Sequence, residues 1–288
     1  MIHSYQDAPP IPDGRCTICG HSGTFLNPEQ TREGTQCRNC GASSRHRAVV
    51  HALGMILGRA GTPLFQWKPD RAIRILESSA RGSYPAMMKE LFEYYATEYD
   101  EEKIAGGKHP TEYADFQNLH FADNHFDVVI ASDVFEHVRK DDRGYREIFR
   151  VLKPGGSLLL TVPYDHERPQ TLQRVDTSGP TDIHLLEPEY HGGGGLTLTY
   201  RNYGRDLLDL LKNAGYAVCH LDLEVRQEGI TRQPVFVATK GPAAGLAIRG
   251  LYPGQASSLG PLLPLRLFTL LKYNWKTGLG LLKQARKG

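Results

Sequence analysis

The chain has 288 residues, 40% hydrophobic and 23% charged, which is enough to bury a substantial core in the proportions of a globular protein. Its 34 Lys and Arg nearly balance its 32 Asp and Glu, but seven of the basic residues and none of the acids lie from Gly241 onward. The body is therefore acidic, which disfavours a body-wide nucleic-acid face, and no run reaches the roughly 18 to 20 apolar residues that cross a bilayer.

In chain order, residues 1–14 have neither a positive start nor an apolar stretch, so no secretory signal is expected. The expected compartment is the cytoplasm, where thiols stay reduced. Next come two C-x2-C pairs, Cys16 with Cys19 and Cys37 with Cys40, each closing on a glycine, Gly20 and Gly41. Two thiolates on each tight turn, with a 17-residue spacer between, suit a tetrahedral four-cysteine zinc site. Four thiolates leave no open position, so such a zinc is structural. Disulfides or a reactive dithiol are the alternatives, and a reducing compartment disfavours them. Cys219, in an apolar stretch, reads as a core cysteine.

The segment "SSRHRAVVHALGMILG" follows the second knuckle. Val49, Val50, Leu53, Ile56 and Leu57 recur at helical spacing. Two readings of Arg45 and Arg47 stand open. They begin a helix that packs the cysteine module onto the main domain, or they clamp an anion such as a phosphate or carboxylate.

From Arg71 strands and helices alternate. "AIRILE" is a strand, "YPAMMKELFE" a helix, "YYATEY" a second strand, "TEYADF" a short third and "FDVVIAS" a buried fourth. "DRGYREIFRVL" is an amphipathic helix stopped at "KPGG", and "SLLLTVP" is a fifth strand. After a long insertion, "YGRDLLDLLKNAG" is a helix, and "YAVCHLDLE" and "PVFVATK" make a terminal antiparallel pair. The expected organisation is a zinc-ribbon-like module at 1–45, a helical connector at 46–70 and an α/β domain at 71–240. Within it, 164–199 is an acceptor-side insertion, and 241–288 form a basic, leucine- and aromatic-rich tail. In such a layered domain, ligands bind beyond the carboxyl ends of the strands. Glu77, Glu98 and Asp115 fall at three of those ends. A carboxylate there suits the two hydroxyls of a ribose, and Asp115 beside Phe116 suits an adenine amino group and ring.

The stretch from Asp115 to Pro163, with its acid, "LHFAD" turn, "FDVVI", "EH", "EIFRVLKPGG" and apolar strand, resembles class I S-adenosylmethionine-dependent methyltransferases. The resemblance covers about residues 70–240. It implies a Rossmann-like, doubly wound, mostly parallel seven-stranded sheet, with S-adenosylmethionine as cofactor. By the resemblance, Glu77 organises the methionine-side loop, Glu98 takes the ribose and Asp115 with Phe116 frames the adenine. Ser132 and Asp133 approach the sulfonium and amino-acid end, and Gly155 and Gly156 of "KPGG" are structural. The family's E-x-G-x-G-x-G is altered here: Ser79, Arg81 and Ser83 stand at the glycine positions, with Gly82 displaced. The expectation is a working loop in which Gly82 still makes the turn, Ser79 preserves close approach and Arg81 pairs with the methionine carboxylate.

Methyl transfer to oxygen or nitrogen often needs a base near neutral pH, most naturally a histidine. The loops supply His137, Tyr164, His184 and His191, with His184 the first choice and His191 shaping the acceptor pocket. Gly192 to Gly195 suit a substrate lid. The expected activity is O- or N-methylation of a small-molecule or glycan acceptor. Two alternatives are a non-catalytic binding module with a decayed loop and an RNA methyltransferase. The latter lacks interleaved basic and aromatic residues in the cysteine module. The tail reads as a helix packed on the domain or another subunit, or as a contact with the inner membrane surface. The sequence leaves the oligomeric state open.

Overall fold

A computed structural model describes residues 11–25, 33–99, 112–191 and 197–241. Strands β1 (Ile11–Arg15) and β2 (Ser22–Phe25) form an antiparallel hairpin carrying the first cysteine knuckle. Helix α1 (Ser44–Ile56) starts directly after the second. Ser43 caps it by accepting the His46 amide, while the His46 ring accepts the Ser43 amide. The helix thus begins inside the expected module and fills only the first part of the expected connector.

The central sheet contains β3 (Arg74–Ser78), β4 (Glu93–Glu98), β5 (Glu112–Tyr113), β6 (Phe126–Ser132), β7 (Leu152–Thr161), β14 (Tyr216–Val225) and β15 (Ile230–Lys240). Its order is β14-β15-β7-β6-β3-β4-β5. The five strands from β7 to β5 are parallel, and β15 and β14 add antiparallel. This is the seven-stranded, mostly parallel sheet expected. Helices α2 (Pro85–Leu91), α3 (Asp141–Val151) and α4 (Leu207–Asn213) complete the layers.

Two cores lie on opposite faces of the sheet. Val49 and Leu53 of α1 and Met88 of α2 pack with Ile75, Val128 and Val237 on one. Tyr145 and Ile148 of α3 and Leu207 and Leu211 of α4 pack with Leu76, Val129 and Phe236 on the other. The alternate residues of β3 and β6 serve opposite cores, as the period-2 geometry of a strand buried on both faces requires. Three element boundaries differ from expectation. The third strand shrinks to two residues. The "KPGG" segment lies within β7, where the register against β6 slips, and not in a separate turn. Gly156 leaves no room for a side chain there, since a Cβ would sit 2.9 to 3.0 Å from three carbonyl oxygens. Among the described residues, the insertion contains only two-residue strands, β8 (Leu172–Gln173), β9 (Val175–Asp176), β10 (Ile183–His184), β11 (Tyr190–His191) and β12 (Thr197–Leu198), with β13 (Arg201–Asn202) just beyond it. The readings of the tail and of the glycine lid at 192–195 fall outside the described residues.

The cysteine module is fastened to the domain through α1. Arg47 is fully buried, and its guanidinium donates to the carbonyls of Ala42, Thr35 (2.8 Å), Gly229 (2.6 Å) and Glu228 (3.0 Å). Its charge also stands 4.4 Å over the Phe25 ring. Of the two readings of the arginine pair, Arg47 takes the packing one.

Candidate active site

Beyond the carboxyl ends of β3, β4 and β6 opens a cleft of ≈ 980 Å³. The strand twist and the parallel order bring Glu77, Glu98, Asp115, Phe116, Ser132 and Asp133 to its wall, along with Ser79 and Arg81 of the first loop. They come from the ends of four strands, β3, β4, β5 and β6, or the turns after them, so a single ligand can reach across all four.

The first loop works differently from the expectation. Ser79 adopts φ 52°, the left-handed conformation that a glycine normally supplies. Its hydroxyl donates to Glu98 at 3.3 Å, and the Tyr99 amide donates to the same carboxylate at 3.0 Å. Arg81 also pairs with Glu98, at 3.3 Å, instead of standing apart for a methionine carboxylate. Gly82 adopts φ 90° and makes a turn but does not line the cleft. It faces His46, whose ring carbon would lie 2.9 Å from an added Cβ. The one glycine of the loop therefore answers to the helix that leaves the cysteine module.

Glu77 is buried and accepts from the hydroxyls of Tyr84 and Tyr94, the latter at 2.6 Å. Burial pushes its pKa up to about 7, against the opposing effect of the two tyrosines and of the Arg45 charge. Tyr84 stands at the start of α2, so this bond ties the end of β3 to the end of the loop.

Arg45, unlike Arg47, enters the cleft. It donates to Ser132 Oγ at 2.6 Å and lies 3.4 Å from Asp133 and 3.0 Å from Glu33. Burial opposes its charge, but Asp133 and Glu33 outweigh burial and raise its pKa further. His46 beside it is pushed down to about 4 by burial and by the Arg45 charge, so it is neutral at physiological pH. Asp115 accepts the Gln117 amide at 2.8 Å, and Phe116 packs 5.7 Å from Phe135.

At the far end of the cleft, the His137 and His191 rings meet edge to face at 4.7 Å. Two residues expected there are elsewhere. His184, the first-choice base, is exposed on β10, held by the pairing of that strand with Val175 on β9. The Tyr164 ring packs against His220 and Phe236 at 5.2 and 5.0 Å, away from the cleft lining. Neither correction is visible from the chain alone, because the place of His184 follows from which short strands pair across the insertion and that of Tyr164 from its packing on β14 and β15. Glu33, Tyr84 and Glu136 line the cleft without having been singled out. Only Glu136, as part of "EH", carried a sequence signal.

In the cysteine module, the sulfurs of Cys16, Cys19, Cys37 and Cys40 all lie within 4.8 Å of one another, two of the pairs at 3.8 and 3.7 Å. A tetrahedron with metal–sulfur bonds of about 2.3 Å has edges of roughly 3.8 Å. Matching bonds, from the Gly20 amide to Cys16 and the Gly41 amide to Cys37, make the two knuckles alike. None of the five cysteines is joined in a disulfide in the structure.

The sheet order and the cleft at its strand ends are those of a Rossmann-like α/β fold of the class I methyltransferase kind, preceded by a four-cysteine module. Residues 79–160 match the family model described as a methyltransferase domain. The sterol 24-C-methyltransferase of Aspergillus fumigatus is 39% identical over 80 residues, 26% of this chain and 21% of that protein. The glycine/sarcosine/dimethylglycine N-methyltransferase of Actinopolyspora halophila is 45% identical over 63 residues, 21% of this chain and 11% of that one. The matches span about a fifth or less of these relatives' length. Among solved structures, an S-adenosylmethionine-dependent methyltransferase from Mesorhizobium loti aligns with a TM-score of 0.44 at 14% identity, over 69% of this chain and 98% of that one.

Proposed function

We propose that the chain binds S-adenosylmethionine and transfers its methyl group to an oxygen or nitrogen of a small-molecule or sugar-containing acceptor. The observation that carries this reading is the convergence of Glu77, Glu98 and Asp115 from three strand ends on one cleft, with Phe116 and Ser132 beside them. Glu98 would take the ribose hydroxyls, Asp115 and Phe116 the adenine, and Ser132 with Asp133 the amino-acid end. Arg45 would take the methionine carboxylate, the role first expected of Arg81. The bound cofactor supplies an electrophilic methyl group on a sulfonium. The protein supplies alignment and a dry site, which account for much of the rate in such transfers. His137 and His191 stand where an acceptor would enter.

The four cysteines would hold a structural zinc that sets the start of α1, and hence Arg45. Such a site requires reduced thiols, in keeping with a reducing compartment. Among the described residues no helix is long and apolar enough to cross a membrane. The named relatives act on sterols, on glycine and its methylated derivatives and, for the Vibrio campbellii C-methyltransferase, in quinone biosynthesis. They favour a small acceptor over RNA, without choosing between carbon, nitrogen and oxygen.

The test is incubation with methyl-labelled S-adenosylmethionine and separated small-molecule, glycan and RNA fractions of cell extract. Label in the first two is expected. Label in RNA alone would replace the acceptor class, and label in none, with tight cofactor binding, would favour a non-catalytic module.

A further inference from the structure

At the acceptor end of the cleft, a 3-10 turn and a hairpin meet. The turn, Phe135–His137, follows β6, and the hairpin is β11 with β12. Glu136 and His137 of the turn and His191 of the hairpin each offer one ligand atom, and these atoms lie within 4.8 Å of one another. All three residues line the cleft.

The chemistry of the set is that of a cation site. Glu136 is 0% exposed, and buried carboxyl groups are neutralised, ion-paired or bound to a metal. Its oxygen stands 3.9 Å from His137 Nε2. His137 Nδ1 lies 2.8 Å from the Leu198 carbonyl, which can only accept, so Nδ1 carries a proton and Nε2 is the nitrogen turned toward Glu136. A metal-bound imidazole is oriented in the same way, with its far nitrogen donating to a carbonyl.

The frame that holds these residues is over-determined. Arg201, almost fully buried, donates to the carbonyls of Phe135 (3.0 Å), Val138 (2.6 Å) and Arg139 (2.8 Å), so it clasps the turn from both sides. The Tyr200 amide donates to the Glu136 carbonyl at 2.8 Å. The turn is thereby tied to the segment just after the hairpin and, through His137 and Leu198, to β12 itself, and His191 is brought to its partners from more than fifty residues away in sequence. A buried arginine that bonds three carbonyls, with its Nε 3.5 Å from the Asp141 carboxylate, holds a loop to a defined shape, as a preorganised site needs.

We propose that Glu136, His137 and His191 form a divalent-cation site, separate from the cysteine cluster, that takes a first-row ion such as Mn2+ or Zn2+. Two imidazoles and one carboxylate leave coordination positions open, and the open side faces the cleft. Oxygen atoms of the acceptor would fill those positions, which favours a hydroxyl-bearing acceptor over an amine. This role for the ion rests on the methyltransferase reading, whereas the binding of the ion does not.

The full chain, with zinc in its cysteine cluster, is titrated separately with Mn2+, followed by electron paramagnetic resonance, and with Zn2+, followed by metal analysis. At least one of the two is expected to bind at one ion per chain beyond the cysteine zinc. His191→Ala and Glu136→Gln should each weaken it by roughly tenfold or more. His191 is partly exposed, at 37% for its side chain, so its variant decides the matter even if the buried Glu136 variant fails to fold. Binding of neither ion, or binding that survives His191→Ala unchanged, would overturn the site. An S-adenosylmethionine titration of the same preparation reads the methyltransferase proposal independently.

Discussion

Glu77 sits wholly inside the protein with two tyrosine hydroxyls on its carboxyl group, and burial raises its pKa from 4.5 to about 7. A raised carboxyl pKa means that the folded state favours the protonated form. Stability from this group is therefore full below about pH 4.5 and is lost as pH rises to about 7, by about 3 kcal/mol in all. Glu77→Gln cannot ionise, so its unfolding free energy should fall less than that of the wild type between pH 5 and pH 8. Denaturant unfolding at both pH values measures the difference, and parallel losses in the two proteins would refute the assignment. Ser79 poses a different question at the same scale. The sequence shows that the expected glycine is missing, but a single chain does not reveal that a serine takes φ 52° there and gives its hydroxyl to Glu98. Ser79→Gly should leave stability within about 1 kcal/mol, because relief of the left-handed strain offsets the lost hydrogen bond. A larger loss in thermal unfolding would mean that the Glu98 contact dominates.

At the scale of elements, α1 connects the cysteine module to both the core and the cleft. Its two arginines lie two residues apart and point to different tasks. Arg47 satisfies several carbonyls in the interior, so Arg47→Met should cost about 3 kcal/mol or more in chemical denaturation by leaving them unpaired. Arg45→Ala should cost less stability and instead lower S-adenosylmethionine affinity by roughly tenfold, about 1.4 kcal/mol. Equal effects on both properties would contradict this division. The helical spacing of the valines and leucines made α1 legible. Which arginine turned inward was not, because it depends on the 228–231 turn that meets the helix from the other end of the domain. If the cysteines hold zinc as proposed, chelation should also weaken cofactor binding, since α1 starts just after the second knuckle and presents Arg45. Calorimetry before and after chelation would show it, and unchanged affinity would uncouple the module from the cleft.

For the whole molecule, the parallel strands β3, β6 and β7 were readable because each contains a short apolar run bounded by polar residues, and the acids at the strand ends declared the ligand side. The antiparallel strands β14 and β15 followed from the last helix and its glycine stop. The insertion resisted reading. Its strands are two residues long, too short to carry a periodic pattern, and Leu198 and Arg201 join the segment to the turn after β6. The histidine pair at the far end of the cleft meets across that junction, while His184, from the same segment, lies on the outside. The account as a whole stands on the three acids acting together on one cofactor. Calorimetric titration of the purified, zinc-loaded chain with S-adenosylmethionine and S-adenosylhomocysteine, with Asp115→Ala as the control, tests this most directly. Micromolar binding of both ligands, lost in the variant, is the predicted result. No binding to folded wild-type protein, or binding indifferent to Asp115, would contradict it.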